Sequence, residues 1–316
     1  MAFLWIGFVG CILALLALDL GVFNRKAHAI GAREALAWTA VWVAFGAAFA
    51  VVVYLLYDRH VYGLGTAGGQ VVSGGQAALL YFTGYLVEKS LSLDNIFVIA
   101  AIFAYFAVPA RSQHRVLFWG ILGALVMRGA MVAAGTALIH QFSWATYAFG
   151  ALLLFAAVKM LRSGDGPGVE PGRNPLVRLA RRILPMSGDY DGCRFFTRVG
   201  GRLAATPLLI VVIVIESTDV LFAVDSVPAV LAITSDPFLV YTSNVFAVLG
   251  LRSLYFALAA MIGRFRYLNI SLAAVLAFVG VKMLAARWVE ISATASLAVI
   301  AAMIAAGVLA SSRRKS

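Results

Sequence analysis

An all-α membrane protein, with about nine transmembrane helices and two inverted three-helix repeats, is the fold that three observations predict. Apolar residues fill 63% of the 316 positions and charged residues only 12%, about half the charged share usual in soluble domains. Apolar runs long enough to span a bilayer recur from one end of the chain to the other. A short acidic motif also occurs twice, once around Asp94 and once around Asp219.

The runs cover 2–22, 34–57, 76–107, 115–138, 144–162, 205–235, 240–262, 268–286 and 289–310. The first has neither a positive n-region nor a small-x-small cleavage site, so it reads as a retained span. Those at 76–107 and 205–235 exceed what a bilayer needs, which predicts a tilted, broken or extended helix in each. The organisation that follows is two N-terminal helices in 1–75, a first unit in 76–162, a loop in 163–204, a second unit in 205–288, and a last helix with a basic tail in 289–316. Glycine and proline break the start of the loop. Its stretch Leu176–Leu184 predicts a short amphipathic helix at the interface. Asp189-Tyr-Asp191-Gly192 predicts a turn, since it lacks the other ligands of a calcium loop.

The net charge of +11 is read as topogenic arginine and lysine rather than a nucleic-acid surface. Eighteen of the 25 Lys and Arg residues fall in the tail and loops of one side, against Arg59 and Arg287 on the other. That asymmetry predicts an external N-terminus and a cytoplasmic C-terminus in the cytoplasmic membrane. Cys11 and Cys193 form no paired spacing, so neither a disulfide framework nor a cofactor is expected. No phosphate-binding motif is present, so neither nucleotide use nor enzymatic activity is expected.

Ser92-Leu-Asp94-Asn-Ile-Phe97 matches Ser217-Thr-Asp219-Val-Leu-Phe222 at an offset of 125. Arg128 then answers to Arg252, and Val158-Lys-Met-Leu161 to Val281-Lys-Met-Leu284. Each unit holds three spans, an odd number, so the second enters the membrane from the opposite side. This is the inverted build of many secondary transporters, with the substrate between the leading helices. A second register, Asp94-Asn95 against Asp225-Ser226 at an offset of 131, stays open.

Glu88 and Asp94 lie in the first leading helix; Glu216, Asp219 and Asp225 lie in the second. An ionised carboxylate at a helix centre costs about 2.5–3.5 kcal/mol on insertion scales. Five cannot all stay ionised in a dry interior without cations or protons. An oxygen-rich set suits hard divalent cations, and the histidines fall at loops or span ends. Asn95, Ser226, Ser243 and Asn244 are candidate neutral ligands, and Asp19 is either a pathway residue or a cap. At about 100° per residue Glu216 and Asp219 share a face and Asp225 points away, so a kink at Pro228 is expected to swing Asp225 back. The bland alternative pairs the acids with Lys89, Arg128 and Arg252, which leaves two acids over. Lys159 and Lys282 are expected to snorkel.

Tyr85–Phe97, Thr206-Pro-Leu208, Glu216–Pro228, Ser243–Tyr255 and the segment from Asp19 to Arg33 together resemble the TerC/Alx family of bacterial integral membrane proteins. The resemblance implies Mn²⁺ efflux, with the family's intramembrane acids falling on Glu88, Asp94, Glu216, Asp219 and Asp225. Mn²⁺ is then the transported substrate and H⁺ the natural coupling ion. Two other classes remain. One is a membrane accessory protein that supplies metal to secreted proteins beside a secretion-machinery partner. The other is an intramembrane hydrolase using a carboxylate pair.

Overall fold

The computed structural model describes residues 2–21, 32–66, 71–142, 144–162, 177–179, 182, 185–259, 268–286, 288–289 and 291–313. Their helices are α1 (Ala2–Gly21), α2 (Ala32–Asp58), α3 (Gly74–Tyr105), α4 (Ala110–Gln141), α5 (Trp144–Arg162), α6 (Pro207–Leu231), α7 (Pro237–Leu249), α8 (Leu251–Ala259), α9 (Leu268–Ala285) and α10 (Ala293–Arg313). Among the described residues, six helical stretches are long and apolar enough to cross a membrane, and two shorter apolar helices lie at Ala2–Ala17 and Ile270–Ala285. Most of the Leu176–Leu184 stretch lies outside the described residues.

Local chemistry sets the helix starts. Ser73 caps α3 by accepting from the Gln76 N–H at 3.3 Å. Pro207 and Pro237 open α6 and α7, where a missing N–H costs nothing and the fixed φ suits the helix. Asp236 caps α7 through the Phe238 and Leu239 N–H groups at 2.9 and 3.3 Å, and its other oxygen accepts from the Tyr57 hydroxyl of α2 at 2.7 Å.

Three features go beyond the sequence reading. The expected span at 240–262 is built from two helices, since Gly250 separates α7 from α8, while Pro237–Ala257 together stays long and apolar enough to cross a membrane. In a continuous helix the Ala247 carbonyl would accept from Leu251; here the Lys89 ammonium donates to it at 3.0 Å, which supplies a partner at the C-terminal end of α7. Next, α6 runs unbroken through Pro228 to Leu231. Pro228 sits in its last turn, so the helix does not open beside Asp225. Last, within the expected all-α fold the loop carries a feature the sequence reading did not name, a hairpin over 196–205 of β1 (Phe196–Val199) and β2 (Arg202–Ala205), with Arg198 opposite Leu203. Gly200 and Gly201, at φ +60° and +81°, supply the left-handed turn that joins two such strands.

The polar loop docks onto the helix ends. Tyr190 donates to the Phe106 carbonyl at 2.7 Å, satisfying an orphan acceptor just past α3. Burial pushes its phenol above the ordinary range, so it stays a neutral donor. Ser112 donates to the Gly192 carbonyl at 3.1 Å. Asp191 accepts from Thr197 at 2.8 Å, and its carbonyl accepts from the Arg194 N–H at 3.0 Å, so the turn here spans Asp191–Arg194 rather than 189–192.

Helix direction follows from the contacts. Gly84 of α3 meets Ser243 of α7, Lys89 meets Ala247, and Phe103 meets Tyr255 of α8, so α3 runs parallel to α7 and α8. Gly120 meets Ile215, Arg128 meets Asp219, and Gly135 meets Leu231, so α4 runs parallel to α6. Each acid-bearing helix therefore lies along a helix from the other half of the chain. Helices α5 and α9 close the contact between halves: a Cβ on Gly150 would lie 3.1 Å from the Gly280 carbonyl, and one on Gly280 would lie 2.9 Å from the Gly150 carbonyl. Small residues permit this backbone approach, as membrane helices require.

Candidate ion site

Arg128 stands at the centre of the bundle with 1% of its surface exposed. One terminal nitrogen of its guanidinium donates to Glu88 Oε1 of α3 and, at 3.0 Å, to Asn244 Oδ1 of α7. The other donates to Asp219 Oδ1 of α6 at 3.2 Å, while Nε reaches Asp219 Oδ2 at 3.4 Å. One side chain of α4 thus ties together three other helices. A buried ion pair repays its desolvation only when geometry and extra hydrogen bonds are good, and the planar fork of arginine meets that requirement.

The acids around Arg128 are not equivalent. Glu88 is fully buried; its Oε1 also accepts from Ser92 at 3.4 Å, and its Oε2 has no partner among the described residues. A buried lone pair without a donor leaves capacity for a cation or proton. Asp219 has one face on Arg128 and another on a cavity of about 40 Å³ that Asn95, Thr218, Asp219 and Arg252 also line. That is room for a few waters. Glu216 lies one turn from Asp219 on the same face, as expected. Its carboxylate rests against Gly123 of α4, in the place that a Cβ would occupy.

The remaining candidates divide. Asn95 is 5% exposed and lines the cavity. Asn244 is buried, but its oxygen is taken by Arg128 and its amide donates to the Val240 carbonyl at 3.1 Å. Ser226 is buried with an unpartnered hydroxyl, and Ser243 donates to the Val240 carbonyl at 3.0 Å. Asp225 is half-buried on α6 and lies within electrostatic reach of Lys159. Asp94 sits on α3 and Asp19 on α1, but both side chains lie outside the described residues. Among the described residues, no three His, Cys, Asp or Glu side chains converge as a ready-made metal cage; Arg128 separates Glu88 from Asp219. Lys282 donates to Ser296 of α10 at 2.9 Å.

Two residues gain a role that sequence reasoning missed. Gly123 shapes the seat of Glu216, and its signal is the pair Gly120 and Gly123, three apart and therefore on one helix face. Lys89 was counted against the acids, but the hydrogen bond described for it goes to a carbonyl.

Residues 73–316 match the family described as Integral membrane protein TerC family. The chain belongs to the TerC family. It is 46% identical over 308 residues to the "Uncharacterized membrane protein STKORF319" of Myxococcus xanthus, covering 98% of this chain and 91% of that one. It is 46% identical over 301 residues to the "Putative membrane-bound redox modulator Alx" of Escherichia coli (strain K12), covering 94% and 90%. A membrane protein of Rickettsia bellii is 37% identical over 311 residues, covering 98% and 97%. No solved structure matches the chain. This TerC protein is an integral membrane protein whose buried junction joins acids from both halves of the chain.

Proposed function

We propose that this TerC protein is a secondary transporter that exports divalent cations, Mn²⁺ first, across the bacterial cytoplasmic membrane. The observation that carries the reading is the buried Arg128 bridge between Glu88 and Asp219, with a small cavity beside Asp219 whose mostly apolar wall is interrupted by Asn95, Thr218, Asp219 and Arg252. Ionisable groups at this depth are costly and mark ion pathways. Carboxylate and amide oxygens without thiolate or imidazole suit hard divalent cations, Mn²⁺ with Mg²⁺ and Ca²⁺, and the resemblance to the TerC family puts Mn²⁺ first.

In this mechanism Arg128 is a tethered cation that keeps the acids neutralised when no ion is present. Glu88, Glu216 and Asp219 outnumber it, and Arg252 on the cavity wall offsets part of their charge, so the set as a whole favours a cation or protons. An ion entering the cavity meets Asp219 and Asn95 and competes with the guanidinium for Asp219, while Arg128 keeps Glu88 and Asn244. Two protons can balance the same acids after the ion leaves, so proton antiport supplies the energy. Asp94 and Asp225 extend the acid set along α3 and α6.

The helices serve as nine spans, with α7 and α8 together forming one, arranged as two inverted three-helix units. The parallel pairings of α3 with α7 and of α6 with α4 support this, since a two-fold axis in the membrane plane exchanges one pair for the other. The seats of Glu216 on Gly123 and Lys89 on Gly250 support it too: 216 against 89 and 250 against 123 are each 127 apart, close to the 125-residue register. The N-terminus is then external and the C-terminus cytoplasmic.

The test is Mn²⁺ flux into proteoliposomes holding an imposed pH gradient. Wild type should carry Mn²⁺ and collapse with the gradient, and Asp219→Asn and Asp94→Asn should each lose about tenfold or more, on the scale of lost metal ligation. Asp191→Asn, on the loop, should behave as wild type. Flux no greater than in empty liposomes, or equal flux in all variants, would refute the proposal.

A further inference from the structure

We propose that the hairpin β1–β2 is a lipid-reading element that seats its apolar tip in the bilayer and holds anionic headgroups with Arg198 and Arg202. Phe196, Val199 and Leu203 are 45%, 54% and 59% exposed on a segment of ten residues, and both arginines are exposed among them. A hairpin bathed in water has no reason to present three large apolar side chains, and bare edges of this kind invite association. The pairing of Arg198 with Leu203, and of Val199 with Arg202, puts a cation beside an apolar group on each face, the composition of elements that lie in the interface.

Its position supports the same occupant. Pro207, two residues after β2, opens a helix apolar enough to cross the membrane. Phe195, just before β1, lies under the Arg115 guanidinium at 4.9 Å and beside the Trp119 ring at 6.3 Å. Both partners belong to the early turns of α4. Trp119 is 44% exposed, as an interfacial tryptophan is. The root is fixed: Thr206 donates to the Arg194 carbonyl at 2.7 Å, and Ala205 donates to the Pro185 carbonyl at 2.8 Å. A fixed root at the membrane boundary with an apolar, cationic tip fits the phosphate headgroup of an anionic lipid such as phosphatidylglycerol. This inference is independent of what the protein transports.

The experiment uses the full chain carrying Cys11→Ser, Cys193→Ser and Val199→Cys, labelled at the new thiol with an environment-sensitive fluorophore. It is reconstituted in phosphatidylcholine alone and in mixtures with phosphatidylglycerol. The expected result is a blue-shifted emission, quenched by brominated acyl chains, that grows with the phosphatidylglycerol fraction. Each arginine at an anionic surface is worth about fivefold in partitioning, so Arg198→Glu with Arg202→Glu should remove the phosphatidylglycerol dependence. Water-like emission in every lipid would overturn the proposal in favour of a solvated hairpin. Quenching that depends on protein density, with energy transfer between labelled copies, would overturn it in favour of self-association. As a second readout, phosphatidylglycerol retained on the purified protein should fall in the double variant, and equal retention would also count against the inference.

Discussion

At two places a helix that carries acids pushes a charged side chain into a glycine on its parallel neighbour. Glu216 of α6 rests on Gly123 of α4, and Lys89 of α3 reaches Gly250 between α7 and α8. The contact is alike and the charge is opposite. The lysine is used locally, since its ammonium donates to the Ala247 carbonyl at the helix break. Glu216 instead adds a negative charge beside Asp219, which already shares Arg128 with Glu88. One seat closes a helix end, and the other gathers negative charge next to a cavity. The two halves of the chain are thus alike in packing and unlike in electrostatics, and the difference puts the excess of acidic side chains on the α4–α6 side.

The largest effect should come from removing the bridge. Arg128→Met leaves Glu88, which has no exposed surface, without its cation, at a cost of about 3–5 kcal/mol; thermal unfolding in detergent should show the loss. Pairing it with Glu88→Gln should recover much of that loss, and the coupling in such a cycle should fall within about 0.5–3 kcal/mol. No recovery would mean that the bridge is not the unit described.

The two glycines separate the roles next. Gly123→Ala puts a methyl group where the Glu216 carboxylate sits, so Mn²⁺ affinity should drop about tenfold while the protein still folds. Gly250→Ala presses on Trp42 Cβ at 3.0 Å and on Lys89 Nζ at 2.8 Å. It should cost about 1–3 kcal/mol by overpacking and leave Mn²⁺ affinity unchanged. Equal affinity losses at both sites would erase the contrast between the seats.

A smaller effect is expected from Asp236→Ala, which removes the cap of α7 and the partner of Tyr57, for about 1–2 kcal/mol. Smallest is Tyr190→Phe, which loses one hydrogen bond to the Phe106 carbonyl and about 0.5–1.5 kcal/mol. Both should lower unfolding temperature without touching Mn²⁺ affinity.

Much of this is legible in the sequence because bilayer physics writes itself into long apolar runs. The acids at Glu88, Glu216 and Asp219 stand out against those runs, and their closeness on α6 follows from helical spacing alone. The break at Gly250 is harder to read, because it depends on Lys89 arriving from another helix to satisfy Ala247. The hairpin is harder still, for Phe196–Ala205 has too few residues for a periodic signal and is shaped by Gly200 and Gly201. Pro228 falls in the last turn of α6, where a missing N–H does not end the helix. Arg128 looks like an anchor in sequence, and its four acceptor contacts emerge only when α3, α6 and α7 close around α4.

The account rests on Asp219 serving both Arg128 and the ion. Mn²⁺ electron paramagnetic resonance on the purified protein tests that directly, because bound and free Mn²⁺ give separable signals. Wild type should hold a bound ion that Asp219→Asn loses, with Asp191→Asn binding as wild type. An undiminished bound signal in Asp219→Asn would contradict the account.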